Sequence, residues 1–349
     1  MKRICALTAA LALLGLGIAA SANVFDLGTG FTNLETVAVG DPGNTGELSG
    51  LGAGGWGPDR ICGSVGYNYN IGKYEVTTAQ YCDFLNNKAK SDPYGLYNGW
   101  TMWNSTQGCK IHQTGTSGNY TYSVASDWAN RPVNNVSYWS ACRFANWLNN
   151  GQGNGGTETG TYTLNGYNGK DGRTIGRNAG AKWAVTSEDE WYKAAYYKGG
   201  GSNAGYWKYP TQSNTPPSNK VATPDPGNNA NFSSQWGGTG SIGFPYYRTI
   251  VGEFENSESA YGTFDQGGNV WEWNESIVIE GSDYGYRGLH DGTFYYSVNE
   301  LRAAGRGWAD PRADGSYDGF RVVMVPEPSS IIALLAGLVG LLGLNRRRA

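Results

Sequence analysis

The chain has 349 residues and a formal net charge of −3 at pH 7, and 54 of its residues are Gly and 13 are Pro. So many Gly and Pro positions exclude an architecture built mainly of long helices. Aromatic residues make up 13% and charged residues 16%, which excludes a disordered chain because so many rings must be buried or stacked. We expect a loop-rich globule, and its acidity without a basic run excludes nucleic acid as a partner.

The amino-terminal end predicts export. Lys2 and Arg3 precede an apolar run over residues 4–20, and the small residues at 20–22 form a signal-peptidase site. Cleavage after Ala22 would remove Cys5 and leave four cysteines. An even number in an oxidising compartment favours two disulfide bonds, with three possible pairings. The four candidates are Cys62, Cys82, Cys109 and Cys142.

Two helices are predicted in the first half of the chain. Residues 71–76 alternate in the manner of a strand, after which Thr77 or Thr78 can cap a helix that runs to Asn86. A second helix is expected over 137–149, where apolar residues recur at helical spacing.

Four aromatic residues lie between these two helices and form a candidate sugar-stacking cluster. They would suit that role if their rings were exposed on one surface, but rings of this kind are more often buried, and we expect them in the core. They are Tyr94, Tyr97, Trp100 and Trp103.

A third helix has the clearest start signal. Ser187 followed three residues later by Glu190 forms a capping box, and the helix is expected to end at Lys198. The remaining regular structure is expected as short strands, at 161–164, 268–273, 292–296 and 319–323.

The densest chemistry lies in the segment 261–275. Asp265 and Glu272 bracket a turn that contains two glycines, so side-chain and main-chain oxygens can converge there on a hard cation such as Ca²⁺. The alternative is a tight turn with a buried Glu paired to an arginine, and spacing alone favours that alternative.

Five segments taken together resemble the sulfatase-modifying-factor family, whose founding member is the formylglycine-generating enzyme. The sequence Gly-Asn-Val-Trp-Glu-Trp at 268–273 matches the family's Gly-Asn-x-Trp-Glu-Trp signature. The resemblance implies an α+β, C-type-lectin-like fold with little regular secondary structure and a few short helices around small antiparallel sheets. The other segments are 71–86, 131–148, 187–195 and 319–321.

The resemblance also implies metal sites. One Ca²⁺ site falls on the side chains of Asp265 and Glu272 and on the carbonyls of Gly268 and Val270. A second calcium site of the family begins at an Asn-hydrophobic pair, which corresponds here to Asn231 and the residue after it. These five residues are the predicted metal ligands.

Copper is not expected. The founding enzyme holds Cu(I) with two cysteines just after a Gly-Gly-Ser-aromatic element, which matches residues 291–294 here. Tyr296 occupies about the place of the first thiolate, and no cysteine follows Cys142. A phenol cannot replace a thiolate for Cu(I). His290 and Asp291 alone are too few ligands for an iron site unless His112 joins them.

The carboxy-terminal end predicts a membrane-directed tail. Pro326-Glu327-Pro328 is followed by an apolar stretch over 331–344 and by three arginines. A helix of that length rises about 21 Å, short of the roughly 30 Å hydrocarbon core, so we expect a transient anchor. The arrangement resembles the PEP-CTERM sorting signal, which implies an exosortase-type partner and a place in the bacterial cell envelope or at its surface. An ordinary tail anchor is the alternative.

The sequence therefore predicts an exported, non-catalytic binding or structural module, with envelope polysaccharide as a candidate ligand. The alternative is an oxidoreductase of the same superfamily that acts on a protein cysteine or another substrate. The predicted division is a signal peptide at 1–22, a Gly-rich lead-in at 23–60, one sulfatase-modifying-factor-like domain at 61–325 and a sorting tail at 326–349.

Overall fold

The computed structural model describes residues 33–326. The predicted signal peptide, the apolar stretch near the carboxy terminus, Glu327 and Pro328 lie outside these residues, and Pro326 is the last residue described. Among the described helices, none combines the length and the apolar character needed to cross a bilayer.

The helices begin where the sequence places their caps. Thr77 accepts a hydrogen bond from the backbone of Gln80, whose side chain in turn accepts one from the backbone of Thr77. Ser187 and Glu190 form the same reciprocal box, which satisfies amide groups that have no partner within the helix. The predicted capping box at Ser187 is confirmed, and the predicted cap of the first helix falls on Thr77, although the third long helix ends at Tyr196. The α-helices of the described range are α1 (Thr78–Lys88), α2 (Ser126–Ala129), α3 (Tyr138–Asn149) and α4 (Glu188–Tyr196).

The strands are short and form four small sheets within the described range. They are β1 (Thr36–Val39), β2 (Glu47–Ser49), β3 (Arg60–Cys62), β4 (Tyr69–Gly72), β5 (His112–Thr114), β6 (Thr121–Ser123), β7 (Trp183–Val185), β8 (Trp271–Glu280), β9 (Gly285–His290), β10 (Gly307–Ala309), β11 (Asp318–Gly319) and β12 (Val322–Met324). One sheet has the order β1-β4-β12-β7, and the other four-stranded sheet has the order β10-β9-β8-β11. Every pair is antiparallel except β8 with β11.

The core joins α1 and α3 to the first sheet through aromatic rings. Phe144 of α3 lies 5.3 Å from Phe84 of α1 and 5.2 Å from Phe320, measured between ring centroids, and both contacts are edge-to-face. All three rings are fully buried. Truncating such a ring costs about 3–5 kcal/mol, so this cluster is a principal support of the fold.

Two predicted strands are loops in the structure. At 161–164, Thr161 donates to the carbonyl of Trp183, and the backbone of Tyr162 donates to Asn146 of α3, 2.7 Å away. At 292–296 the backbone amide of Tyr295 donates to the Thr293 side chain in a local turn. Side chains satisfy backbone groups that a strand would satisfy by pairing.

None of the four cysteines expected to pair is bonded in the structure, and all four are buried free thiols. Cys62 packs with Trp191 and Tyr192 in a cluster of its own, whereas the other three belong to the main core. Burial raises the pKa of Cys62 to about 12. These side chains therefore act as small apolar residues rather than as thiolates.

The segment before residue 61 is integral to the fold. β1 pairs with β4 along its whole length, and β2 pairs with β3. Gly55 and Gly57 lie directly against another part of the chain: a Cβ atom at Gly55 would come 1.9 Å from the carbonyl oxygen of Ala304, and one at Gly57 would come 2.3 Å from that of Arg306. The predicted Gly-rich lead-in is therefore irregular because it packs backbone against backbone.

Candidate ligand-binding site

The signature turn at 268–273 leads into a buried ion pair. Arg321 donates to both oxygens of Glu272 at 2.6 Å, and the Trp191 indole donates to the same carboxylate at 2.7 Å. Burial lowers the pKa of Arg321, but the facing Glu272 carboxylate raises it more, so its pKa lies above the ordinary value. Arg321 also donates to the carbonyls of Gly72 and Phe264, both at 3.0 Å. This is the buried Glu–Arg pair that the spacing favoured.

Two further carboxyls lie near this ion pair without a cationic partner of their own. Asp265 accepts a 2.6 Å hydrogen bond from the backbone of Gly252, and burial raises its pKa to about 7. Glu75 is 1% exposed, and neither of its oxygens has a hydrogen-bond partner within residues 33–326. Burial, and then the charge of Asp265, raise the pKa of Glu75 well above its usual range. Burying oxygens without partners costs free energy, and a cation bound between Asp265 and Glu75 would offset that cost.

The residues present fit a calcium ion in part. Carboxylate and carbonyl oxygens are the ligands that Ca²⁺ prefers, and the unpartnered oxygens of Glu75 lie near the carboxyl of Asp265, whose charge raises the pKa of Glu75. Glu272 differs from the expectation, because Arg321 and Trp191 engage both of its oxygens.

The predicted second metal position holds a hydrogen-bond network. The Asn231 amide donates to the Tyr247 carbonyl at 2.9 Å and to the Asn269 side chain at 2.7 Å, and its oxygen accepts from the backbone of Ser241 at 2.8 Å. The backbone of Asn231 also lies against Gly268, where a Cβ atom would come 2.2 Å from the Asn231 carbonyl oxygen. Asn231 thus fixes the loop 231–247 to the signature turn.

A large open cleft lies across the second four-stranded sheet. Its volume is about 620 Å³, and every strand of that sheet contributes a lining residue. Trp271 comes from β8, Leu289 from β9, Trp308 from β10 and Asp318 from β11. The other residues lining this aromatic cleft are Trp56, Trp236, Tyr296, Glu300, Gly307, Ala309 and Tyr317.

The rings of the aromatic cleft stand at steep angles to one another. Trp56 meets Trp271 at 85° with centroids 5.6 Å apart, and Trp236 meets Tyr296 at 79° with centroids 4.4 Å apart. Trp236 is 69% exposed and Trp308 is 38% exposed. The rings therefore border the cleft at several angles and do not form one flat stacking surface.

Two carboxyls supply the ionisable polar chemistry of the cleft. Burial raises the pKa of Asp318 to about 7, and burial also raises the pKa of Glu300. The pKa of Tyr296 is raised by burial and then by the charges of Asp318 and Glu300, which places its phenol near both carboxyls. The cleft therefore holds two carboxyls and weakly acidic phenols, and its negative charge grows as the pH rises through the pKa of Asp318.

A sequence profile described as the sulfatase-modifying factor enzyme 1-like domain matches residues 64–325. The chain belongs to this sulfatase-modifying-factor family. The solved structures similar to it include the three described next. Treponema denticola variable protein 1 is 18% identical with a TM-score of 0.50, covering 86% of this chain and 98% of its own. CarF is 20% identical with a TM-score of 0.48, covering 84% of this chain and 99% of its own. PvdO from Pseudomonas aeruginosa is 16% identical with a TM-score of 0.47, covering 88% of this chain and 100% of its own. Among curated protein sequences none matches.

The sulfatase-modifying-factor fold places Tyr296 in the aromatic cleft, where the resemblance expects the first copper thiolate. The four cysteines of the described range are buried elsewhere. No group of three His, Cys, Asp or Glu side chains that could hold a metal occurs between residues 33 and 326. The iron site that would need His112 with His290 and Asp291 is therefore not assembled in this part of the chain.

His290 and Asp291 serve the scaffold of this family member. His290 lies 2.9 Å from Glu188 through Nε2 and stacks on Trp191 at 4.9 Å. Asp291 has a positive φ of 84° and accepts from the backbone amides of Gly268 and Gly292 at 2.5 and 2.6 Å. Asp291 therefore ties the loop after β9 to the signature turn.

The predicted aromatic cluster is not the cleft. Trp100 is 78% exposed and Trp103 is 41% exposed, so the expectation that these rings lie in the core is wrong for both tryptophans. Sequence reasoning missed Trp56, Trp236 and Trp308. Each of the three adjoins a glycine, but so does Trp100, so this local pattern does not distinguish the rings of the cleft.

Proposed function

We propose that this family member is a ligand-binding module that works without copper chemistry, and that the aromatic cleft is its binding site. The observation that carries the proposal is the cleft itself, in which Tyr296, at about the place of the founding enzyme's first thiolate, lies among five other aromatic residues. Rings and carboxyls can bind a ligand, but they cannot hold Cu(I). The chemistry supported is recognition.

We propose a glycan as the ligand. A volume of about 620 Å³ is within the range of small-molecule sites, and it is large enough for two or more sugar rings. The exposed faces of Trp236 and Trp308 offer apolar surfaces on which the C–H faces of a sugar can stack. The oxygens of Glu300 and Asp318 can accept hydrogen bonds from sugar hydroxyls.

The test is retention on a panel of immobilised oligosaccharides. The exported domain should be retained by at least one glycan, and Trp308→Ala and Trp236→Ala should each weaken that retention. Trp100→Ala is the matched control, because Trp100 is exposed but does not line the cleft. Retention by no glycan would refute glycan binding, and an equal loss in the Trp100→Ala variant would refute the assignment of the site.

We also propose that Asp265 and Glu75 hold a calcium ion with the carbonyls of Gly268 and Val270. The unpartnered oxygens of Glu75 support this. The ion would neutralise two buried carboxylates and so stabilise the signature turn; its role would be structural. Asn231 would act beside it by fixing the neighbouring loop.

We propose that the domain works in the bacterial cell envelope or at its surface. The support is the sequence at the two ends: the export signal at 1–22, and the proline motif, short apolar stretch and arginines that an exosortase-type enzyme would process. The test is fractionation of cells that express the full chain, with Pro326→Ala and Pro328→Ala as variants. An unprocessed tail in cells that contain such an enzyme would refute the sorting proposal.

A further inference from the structure

The aromatic cleft is acidic as well as aromatic. Of its lining residues, Glu300 and Asp318 are the two with carboxyl groups, and no Lys, Arg or His lines it. Asp318 accepts a 3.1 Å hydrogen bond from the backbone of Gly315. Arg302 is the base whose charge acts on Glu300, but it lies outside the lining residues and its Nε donates to the Asn299 carbonyl. The negative charge of the cleft therefore faces the ligand.

The ring faces together with the two carboxyls of the cleft favour a cation over an anion. Because Trp56 and Trp271 stand at 85° and Trp236 and Tyr296 at 79°, ring faces and edges border the cleft from several directions. The face of an aromatic ring attracts a cation, and the attraction grows when water is excluded. Carboxylates in the same cleft add to it, whereas an acidic sugar would meet repulsion from both carboxyls.

Resting on the proposed glycan binding, we propose that the aromatic cleft selects a sugar that carries a free ammonium group: a glycan of amino sugars. The volume of about 620 Å³ argues against a small ammonium ion as the whole ligand, because such an ion would leave most of the rings in contact with water. An amino sugar supplies both a ring that stacks and a cation that the acidic aromatic walls attract.

The experiment measures the affinity of the domain by calorimetry for three trisaccharides of equal linkage, built from glucosamine, N-acetylglucosamine or glucose. At a pH where the amine is protonated, the glucosamine trisaccharide should bind about tenfold more tightly than the other two. Glu300→Gln and Asp318→Asn should each reduce this preference, measured as the ratio of the affinity for the glucosamine trisaccharide to that for the glucose trisaccharide. Glu280→Gln is the matched control, because Glu280 is an exposed carboxylate on β8 outside the cleft.

The outcomes distinguish the proposed ammonium preference from the proposed glycan binding. Equal affinity for the three trisaccharides would overturn the ammonium preference and leave glycan binding standing. Binding of none would overturn both. A trilysine peptide that binds as tightly as the glucosamine trisaccharide would show that the ammonium groups suffice without a sugar, and would overturn the sugar assignment. Should Asp318→Asn fail to fold, Glu300→Gln alone carries the charge test, because Glu300 is only partly buried.

Discussion

Trp271 and Glu272 are neighbours in β8, yet they belong to two regions with opposite chemistry. The carboxylate of Glu272 is buried and paired with Arg321 and Trp191. The ring of Trp271 lines an open cleft with five other aromatic side chains and two carboxyls that face no lining cation. Adjacent strand residues point to opposite faces of a sheet, so one short strand serves both regions.

The buried region around Glu272 maintains the fold, whereas the aromatic cleft is the region proposed to contact a ligand. In the buried region, polar groups find protein partners, and the signature Gly-Asn-x-Trp-Glu-Trp contributes to that order. In the aromatic cleft, rings and carboxyls remain available. Exceptions in the buried region include Asp291 Oδ2 and both oxygens of Glu75, and a cation is proposed beside Glu75. Four predictions test this division.

The largest effect is expected from Arg321→Met. Removing the guanidinium leaves Glu272 buried without its partner, and breaking a buried pair in this way costs about 3–5 kcal/mol. The free energy of unfolding, measured in urea, should fall by that amount. Arg312→Met is the control, since Arg312 pairs with Asp310 at the surface, and it should change stability little. The double variant Arg321→Met/Glu272→Gln should recover part of the loss; equal small effects of both single variants would contradict the division.

The second effect is the loss of calcium. An ion bound only by the folded state stabilises it by about 2.7 kcal/mol at a free concentration of 100 times its Kd. A chelator should therefore lower the melting temperature, and Asp265→Asn and Glu75→Gln should remove this sensitivity. Asp310→Asn, which changes a surface carboxylate, should retain it. A melting temperature that does not respond to chelator would refute the proposed ion.

The sequence predicted local features and missed those that depend on distant segments. The capping boxes at Thr77 and Ser187 were predictable because both partners lie within one helical turn. The strand expected at 292–296 failed because the positive φ of Asp291 and the Thr293 turn bend the chain there. The family signature indicated the fold, which the comparison confirms.

The aromatic cleft could not be predicted from local patterns. Trp56, Trp236, Trp271 and Trp308 come from four separate parts of the chain, and no periodicity relates them. What assembles them is long-range backbone packing, such as the bridge between Trp56 and Gly305. The sequence therefore shows that aromatic residues are abundant without showing which of them share a surface.

The third prediction tests that long-range assembly. A Cβ atom at Gly55 would lie 1.9 Å from the carbonyl oxygen of Ala304, so Gly55→Ala must displace the segment that carries Trp56. Overpacking of this kind costs about 1–3 kcal/mol, and we expect a similar loss of stability together with weaker glycan retention. Gly66→Ala is the control, because a Cβ atom there meets nothing within 4 Å. Retention equal to that of the unchanged protein would show that Trp56 does not contribute to the site.

The fourth prediction concerns pH and returns to the carboxyls of the buried region. Burial raises the pKa of Asp265 to about 7 in the metal-free protein, against about 3.9 in an unfolded chain. Between these values the folded state binds a proton that the unfolded state has released, so this carboxyl makes the free energy of unfolding fall as the pH rises from about 4 to about 7. In chelator, Asp265→Asn should reduce that slope, whereas Asp310→Asn should leave it unchanged. Saturating calcium should also reduce the slope, because the ion favours the ionised carboxylate. Parallel curves for the wild-type protein and Asp265→Asn, with and without calcium, would show that Asp265 does not have a raised pKa and does not bind the ion.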